Sequence, residues 1–219
     1  MKNRFLIAFV LLVILSTYTF KSNFIFQSTL NVKNILIENN HILSDEEVKK
    51  ELSFLYKKNL FFLGKSEIED KLSKISFIES YELKKVYPNK IKVKIFEKKP
   101  VVILKNKKKK YYFTENSTLI NFVYLEKFKS LPTVFGDYKN FKILYKSLKE
   151  TNFPLSSIKT FHLFETKRWD LITKNGIIVK LPIDNYKNSL KNFLNINKKP
   201  NFKKYEVFDY RIKDQLILK

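Results

Sequence analysis

RWDLITKNGIIVKLP, residues 168–182, decides how the larger part of this chain is read. Two short alternating apolar runs flank Asn175-Gly176, and Asn-Gly between such runs is the strongest short-range hairpin signal. Both residues tolerate positive φ, so the pattern predicts a type I′ turn. Trp169, the single tryptophan, is expected in the core and not at a ligand platform.

Outward from this hairpin the grammar is mixed. Ile183 to Ile196 is predicted as an amphipathic helix with Tyr186, Leu190 and Phe193 as its stripe. Val207 to Arg211 reads as a strand. Lys213 to Lys219, KDQLILK, reads as a last one, with Leu216 and Leu218 on one face and Gln215 and Ile217 on the other. Upstream, Phe141 to Glu150 is predicted as a helix with Ile143, Leu144 and Leu148 apolar, closed by Pro154. Leu131 to Gly136 reads as a loop and Asn116-Ser117-Thr118 as a turn. Val101 to Leu104 and Tyr111 to Phe113 are strands around Lys105 to Lys110. The lysines Lys107 to Lys110 then form a solvated tip, or a contact with anionic lipid or cell-wall polymer.

Before Pro100 lies a smaller module. Asn34 to Asn39 is a short buried strand followed by an Asn39-Asn40 turn. Ser44 and Glu47 have the spacing of a capping box, in which each side chain satisfies a free amide of the other residue. Val48, Leu52 and Leu55 then form a helical stripe. Ser66 and Glu69 repeat the box, with Ile68, Leu72 and Ile75 as the second stripe. From Ile78 the period changes to two: Tyr81 and Leu83 are expected to face the core, Pro88-Asn89 turns the chain, and Ile91, Val93 and Ile95 alternate against Lys92, Lys94 and Phe96. The order is strand, helix, helix, strand, strand, which predicts a small sheet covered on one face by two helices.

Phe5 to Phe20, FLIAFVLLVILSTYTF, is uncharged and lies between Lys2 and Arg4 on one side and Lys21 on the other. As a helix it spans about 24 Å, a little short of the ~30 Å hydrocarbon core; Phe24, Ile25 and Phe26 can extend it. A cleavable secretory signal is the rival reading, but no Ala-x-Ala pattern follows the apolar run. An uncleaved anchor is therefore expected, with the amino terminus inside and the chain from about Gln27 outside.

The formal net charge of +22 invites a nucleic-acid reading. Of the 43 Lys and Arg, however, only Arg4, Arg168 and Arg211 are arginine, and arginine is the side chain for bidentate phosphate and base contacts. The abundance of Lys, Asn, Ile and Phe fits codon bias, and most of the charge is a solvated surface. There is no cysteine, and His41 and His162 stand in no metal-binding spacing. Three glycines provide no phosphate loop, and no serine has a matching His and Asp. No catalytic, cofactor-binding or metal residue is assigned, and no small-molecule substrate.

Several stretches resemble the FtsQ (DivIB) family of bacterial cell-division proteins. Those of its extracytoplasmic POTRA domain are Val32 to Asn39, Asn59-Leu60-Phe61, Tyr87-Pro88-Asn89-Lys90-Ile91 and Ile95 to Pro100. Those of its C-terminal domain are Leu131 to Gly136, the Trp169 hairpin and Val207 to Arg211. The resemblance implies an α+β protein: residues 1–27 a cytoplasmic tail and transmembrane anchor carried by Phe5, Leu6, Ile7, Leu11, Leu12, Ile14 and Leu15, residues 30–99 the POTRA domain, and residues 100–219 a mostly antiparallel β domain with flanking helices. It implies a non-enzymatic scaffold of the septum, in the inner membrane with its bulk periplasmic, that binds FtsB and FtsL by strand addition. The site would then be Tyr210, Arg211, Lys213, Asp214, Gln215, Leu216, Ile217 and Leu218. The alternative is a POTRA-type periplasmic chaperone or assembly factor for envelope proteins.

Overall fold

In the computed structural model, which describes residues 2–17, 30–212 and 214–219, the chain divides into two units, Met1–Ile75 with Ser80–Phe96, and Ser76–Glu79 with Glu97–Lys219. Helix α1 (Lys2–Thr17) begins the first. Phe5, Leu6, Ile7, Leu11, Leu12, Ile14 and Leu15 all lie on it and are exposed. Among the described residues no helix is long and apolar enough to cross a membrane. The rest of the predicted span, Tyr18 to Phe26, lies outside the described residues.

The first unit has β1 (Asn34–Glu38), α2 (Asp45–Glu51), α3 (Ser66–Leu72), β2 (Ile78–Val86) and β3 (Lys90–Glu97), the last two shared at one end with the second unit. The sheet order is β1-β3-β2, with β1 parallel to the central β3. Ile91, Val93 and Ile95 are buried as their alternation predicts, together with Val48, Leu52, Leu55, Ile68 and Leu72 from the helical stripes. Tyr81 and Leu83 are only half buried, because β2 is an edge strand.

The Ser44–Glu47 capping box forms in full. The Ser66–Glu69 box does not. Lys65 is the N-cap residue in helical conformation, so Ser66 is already inside the first turn and lacks the extended backbone a cap requires. The Glu69 amide donates instead to the Lys65 carbonyl.

The second unit is built on nine strands: β4 (Pro100–Asn106), β5 (Lys109–Thr114), β6 (Leu119–Asn121), β7 (Thr133–Phe135), β8 (Ile158–Leu163), β9 (Trp169–Thr173), β10 (Ile178–Lys180), β11 (Val207–Asp209) and β12 (Ile217–Leu218). Their order is β12-β11-β10-β9-β8-β7-β4-β5-β6. Five of the eight neighbouring pairs are antiparallel; β4-β7, β7-β8 and β10-β11 are parallel.

Helices α4 (Tyr138–Glu150) and α5 (Tyr186–Ile196) cover one face of this sheet. Asp137 caps α4 by accepting from the Asn140 amide. Phe141, Leu144, Tyr145 and Leu148, at i, i+3, i+4 and i+7, form its buried stripe. Ile143 lies off that stripe and is 60% exposed, so it is not the core residue its apolarity suggests. Helix α5 begins three residues later than Ile183, which stays exposed in the connection. Trp169 is wholly buried and meets Phe141 edge to face at 5.9 Å.

Three turns differ from expectation. Leu131 to Gly136 is no loop: Thr133 to Phe135 forms β7, parallel to both β4 and β8 in the middle of the sheet, and three residues are too few to show a period. The lysine tip is only Lys107-Lys108, with Lys107 at φ 53°; Lys109 and Lys110 pair with Asn106 and Lys105 inside the ladder. At Asn175-Gly176 only Gly176 has positive φ, at 87°. Its amide donates to the Thr173 carbonyl at 3.1 Å and the Thr173 amide to Ile177 at 2.9 Å. The loop is therefore a three-residue turn with a glycine bulge and not type I′.

Candidate functional site

Strand β12 ends the nine-stranded sheet, with no strand beyond it among the described residues. It pairs antiparallel with β11 in the register Phe208↔Leu218 and Asp209↔Ile217. The Val207 amide donates to the Lys219 carbonyl at 3.0 Å and the Lys219 amide to Val207 at 3.1 Å. Residues 207 and 219 thus form a hydrogen-bonded pair, and alternation along an antiparallel ladder turns the amide and carbonyl of Leu218 toward the open edge. Leu216 and Leu218 pack against the core, while Ile217 faces away and is 38% exposed.

The face opposite the helices carries charge. Asp170, Lys180 and Asp209 are neighbours on β9, β10 and β11. Arg168 donates to Asp170 at 3.2 Å, and Arg211 donates to Asp209 through Nε at 2.8 Å and Nη2 at 2.5 Å. The Arg211 side-chain hydrogen bonds hold the Asp209 carboxyl below its ordinary range against the upward push of burial. Asp209 in turn raises Arg211, with Asp170 adding to the effect.

Tyr210 points the other way, toward α5. Its hydroxyl donates to Asn192 at 2.9 Å, and burial pushes its pKa upward. Between α5 and residues 210–212 and 214–216 lies a cleft of about 620 Å³ lined by Asn188, Ser189, Asn192, Tyr210, Arg211 and Leu216, among others. Asp214 and Gln215 also line it, the former at φ 58°.

Of the predicted partner-binding residues, Tyr210, Arg211, Asp214, Gln215 and Leu216 meet at the cleft, and Ile217 and Leu218 form the adjoining edge strand. Lys213 lies outside the described residues. Sequence reasoning missed Arg168, Asp170, Lys180 and the α5 asparagines. The signal was present: two of only three arginines each stand two residues from an aspartate, in Arg168-Trp169-Asp170 and Asp209-Tyr210-Arg211, the spacing that puts both on one face of a strand. No group of acidic, histidine or cysteine side chains able to hold a metal occurs among the described residues.

Two family models match the chain, the POTRA domain, FtsQ-type, over residues 30–98 and cell division protein FtsQ/DivIB, C-terminal, over residues 94–211. The chain is 26% identical to the cell division protein FtsQ of Rickettsia felis, covering 96% of this chain and 83% of that one. It is 26% identical to FtsQ of Rickettsia typhi, covering 82% and 69%. Cell division protein DivIB of Bacillus cytotoxicus is 28% identical over 54% of this chain and 47% of its own. The solved major extracytoplasmic domain of the cell division protein DivIB of Geobacillus stearothermophilus aligns with a TM-score of 0.33 at 16% identity, over 48% of this chain and 91% of that one. That structural likeness is too weak to bear on the fold.

Proposed function

Because the chain belongs to the FtsQ/DivIB family of cell-division proteins, we propose that it is a non-enzymatic scaffold of the division septum whose second unit binds the exported parts of FtsB and FtsL. The carrying observation is the open edge at β12, where Leu218 turns its main-chain groups outward beside the Arg211–Asp209 pair. An extended partner segment adds there as a tenth strand, gaining main-chain hydrogen bonds in register, with Arg211 and the cleft under Tyr210 reading its side chains.

The apolar run from Phe5 to Phe20, extended through Phe24 to Phe26, is the inner-membrane anchor in this reading. Residues 1–27 are the tail and anchor, 30–99 the POTRA domain and 100–219 the β domain. Lys2 and Arg4 hold the amino terminus in the cytoplasm, and the rest of the chain is periplasmic.

The test is binding of a fragment of residues 30–219 to the exported part of an FtsB–FtsL complex, beside a fragment ending at Arg211. Binding lost on truncation supports both role and site. Unchanged binding moves the site away from β12. Absence of binding by either fragment overturns the partner assignment.

A further inference from the structure

Residues 57–65, KKNLFFLGK, place two phenylalanines side by side between lysines. Phe61 and Phe62 are 64% and 79% exposed and meet edge to face at 5.3 Å, while Leu60 and Leu63 beside them are buried. The rings are not out for want of order. The Lys85 ammonium donates to the carbonyls of Phe61 at 3.3 Å and Leu63 at 2.9 Å, and the Phe61 amide donates to the Asn59 side chain at 2.9 Å. Adjacent large apolar side chains held outward are the informative kind of exposure.

Backbone bonds fix where in the first unit this loop lies. The Leu60 amide donates to the Leu30 carbonyl at 2.9 Å, the Val32 amide to Lys58 at 3.1 Å and the Lys33 amide to Asn89 at 2.8 Å. The loop and the exposed Tyr87 of the β2-β3 turn therefore gather around residues 30–33. Leu30 follows Phe20, the end of the apolar run, by ten residues, which reach at most about 36 Å even fully extended. Lys33, Lys57, Lys65 and Lys90 are exposed at this end, none of them in an ion pair among the described residues.

We propose that this end of the first unit rests on the bilayer that the N-terminal run enters, with Phe61 and Phe62 seated at the boundary of headgroups and acyl chains and the lysines on anionic headgroups. The inference rests on reading that run as a membrane anchor. Aromatic rings favour the membrane interface, and clustered lysines favour anionic lipid. The occupant is lipid because the patch sits where the chain arrives from its apolar run, and because rings collared by cations match an anionic bilayer surface. Docking in this way would hold the unit against the membrane.

The test uses the full chain in vesicles of phosphatidylcholine and phosphatidylglycerol whose acyl chains are brominated near the carbonyl. The reporter is Phe62→Trp, and the control is Glu46→Trp, at the exposed first turn of α2. Asn40 ties that turn to the opposite end of β1, donating to the Leu43 carbonyl and to Asp45. Trp169 is buried in the second unit and supplies a constant background. The emission added by Phe62→Trp is expected to shift to the blue and fall roughly twofold, since a side chain seated about 5–10 Å into the interface lies within reach of the bromines. The emission added by Glu46→Trp is expected not to change. Equal responses at the two positions, with the protein floating with the vesicles, overturn the lipid contact and leave the patch to a protein partner. Failure to float with the vesicles overturns the anchor and the contact together. Persistence of the full response in phosphatidylcholine alone overturns the role given to the lysines.

Discussion

Asp209 is 4% exposed, yet it accepts hydrogen bonds from Arg211, two residues further on, at 2.8 and 2.9 Å from Nε and 2.5 Å from Nη2. The Arg211 amide also donates to the same carboxylate at 3.1 Å. A near-buried carboxylate held so fully fixes the path of the chain where it leaves β11 for the cleft and β12.

That pair makes stability depend on pH. The side-chain bonds from Arg211 lower the Asp209 pKa in the folded state, below the ordinary value of about 3.9 of the unfolded chain. A depressed carboxylate contributes stability that is fully present above the unfolded pKa and is lost as pH falls through the folded pKa. Asp209→Asn should therefore lower stability by about 1–2 kcal/mol at neutral pH, the range for hydrogen bonds to a charged group discounted for the half-exposed arginine. It should also flatten the loss of stability below about pH 4. Urea unfolding of both proteins across that range checks it; parallel pH curves would show that Asp209 is not the titrating group.

Gly136 follows β7 at a point of close approach. A Cβ there would lie 2.9 Å from the Leu163 Cβ and 3.0 Å from the Trp169 Cη2. Both are packed carbons with little room to retreat, so Gly136→Ala should destabilise the protein by about 1–3 kcal/mol through overpacking. The tryptophan emission should change with it, because Trp169 is the only fluorophore of its kind. Urea unfolding with emission as the probe measures both.

What was legible in the sequence followed the length of each pattern. Lys90 to Lys98 and the stripe of α4 each run through several periods, so Ile91, Val93, Ile95, Leu144 and Leu148 could be named; in that reading Ile143 stands in place of Phe141 and Tyr145, the aromatic half of the α4 stripe. Strand β7 could not, since Thr133 to Phe135 is a single repeat whose strand character comes from β4 and β8 on either side. The second helix start failed for a different reason: Ser66 and Glu69 have the right spacing, but Lys65 already has helical φ and ψ. At the site, KDQLILK announced an edge strand, of which Ile217 and Leu218 alone are strand and Asp214 to Leu216 form the lead into it. Its register, and hence which of its amides face outward, depended on the Val207–Lys219 pairing, which no local pattern encodes. The Asp170, Lys180 and Asp209 row likewise comes from three strands far apart in the chain.

The Asn175-Gly176 turn separates two residues that look equivalent in sequence. Gly176 has φ 87° with nothing within 4 Å of an added Cβ, so a substitution there meets only backbone strain. Gly176→Ala should cost about 1–2 kcal/mol, the penalty for an L-residue in the left-handed region. Asn175 is not at positive φ, and Asn175→Ala should change stability by less than about 0.5 kcal/mol, as expected of a surface position. Equal losses at the two sites in urea unfolding would restore the type I′ turn.

Strand addition at β12 can be tested without removing the strand. Proline at position 218 deletes an amide that points to the open edge and bonds nothing in β11, whereas the Ile217 amide belongs to the ladder. Edge strands tolerate proline at such outward positions. Leu218 also packs its side chain against the core, so Leu218→Ala is the comparison that removes the side chain and keeps the amide. Both variants should be less stable than the parent by a similar amount, about 1–2 kcal/mol for a half-buried leucine. Only Leu218→Pro should also lose one partner hydrogen bond and the approach of the partner backbone. Its affinity for the exported FtsB–FtsL complex should fall at least tenfold below that of Leu218→Ala, about 1.4 kcal/mol or more. Calorimetric titration of the two variants reads the difference directly. Equal affinities would mean that the partner does not bond to the backbone of β12, and that Arg211 and the cleft under Tyr210 carry recognition by side chains alone.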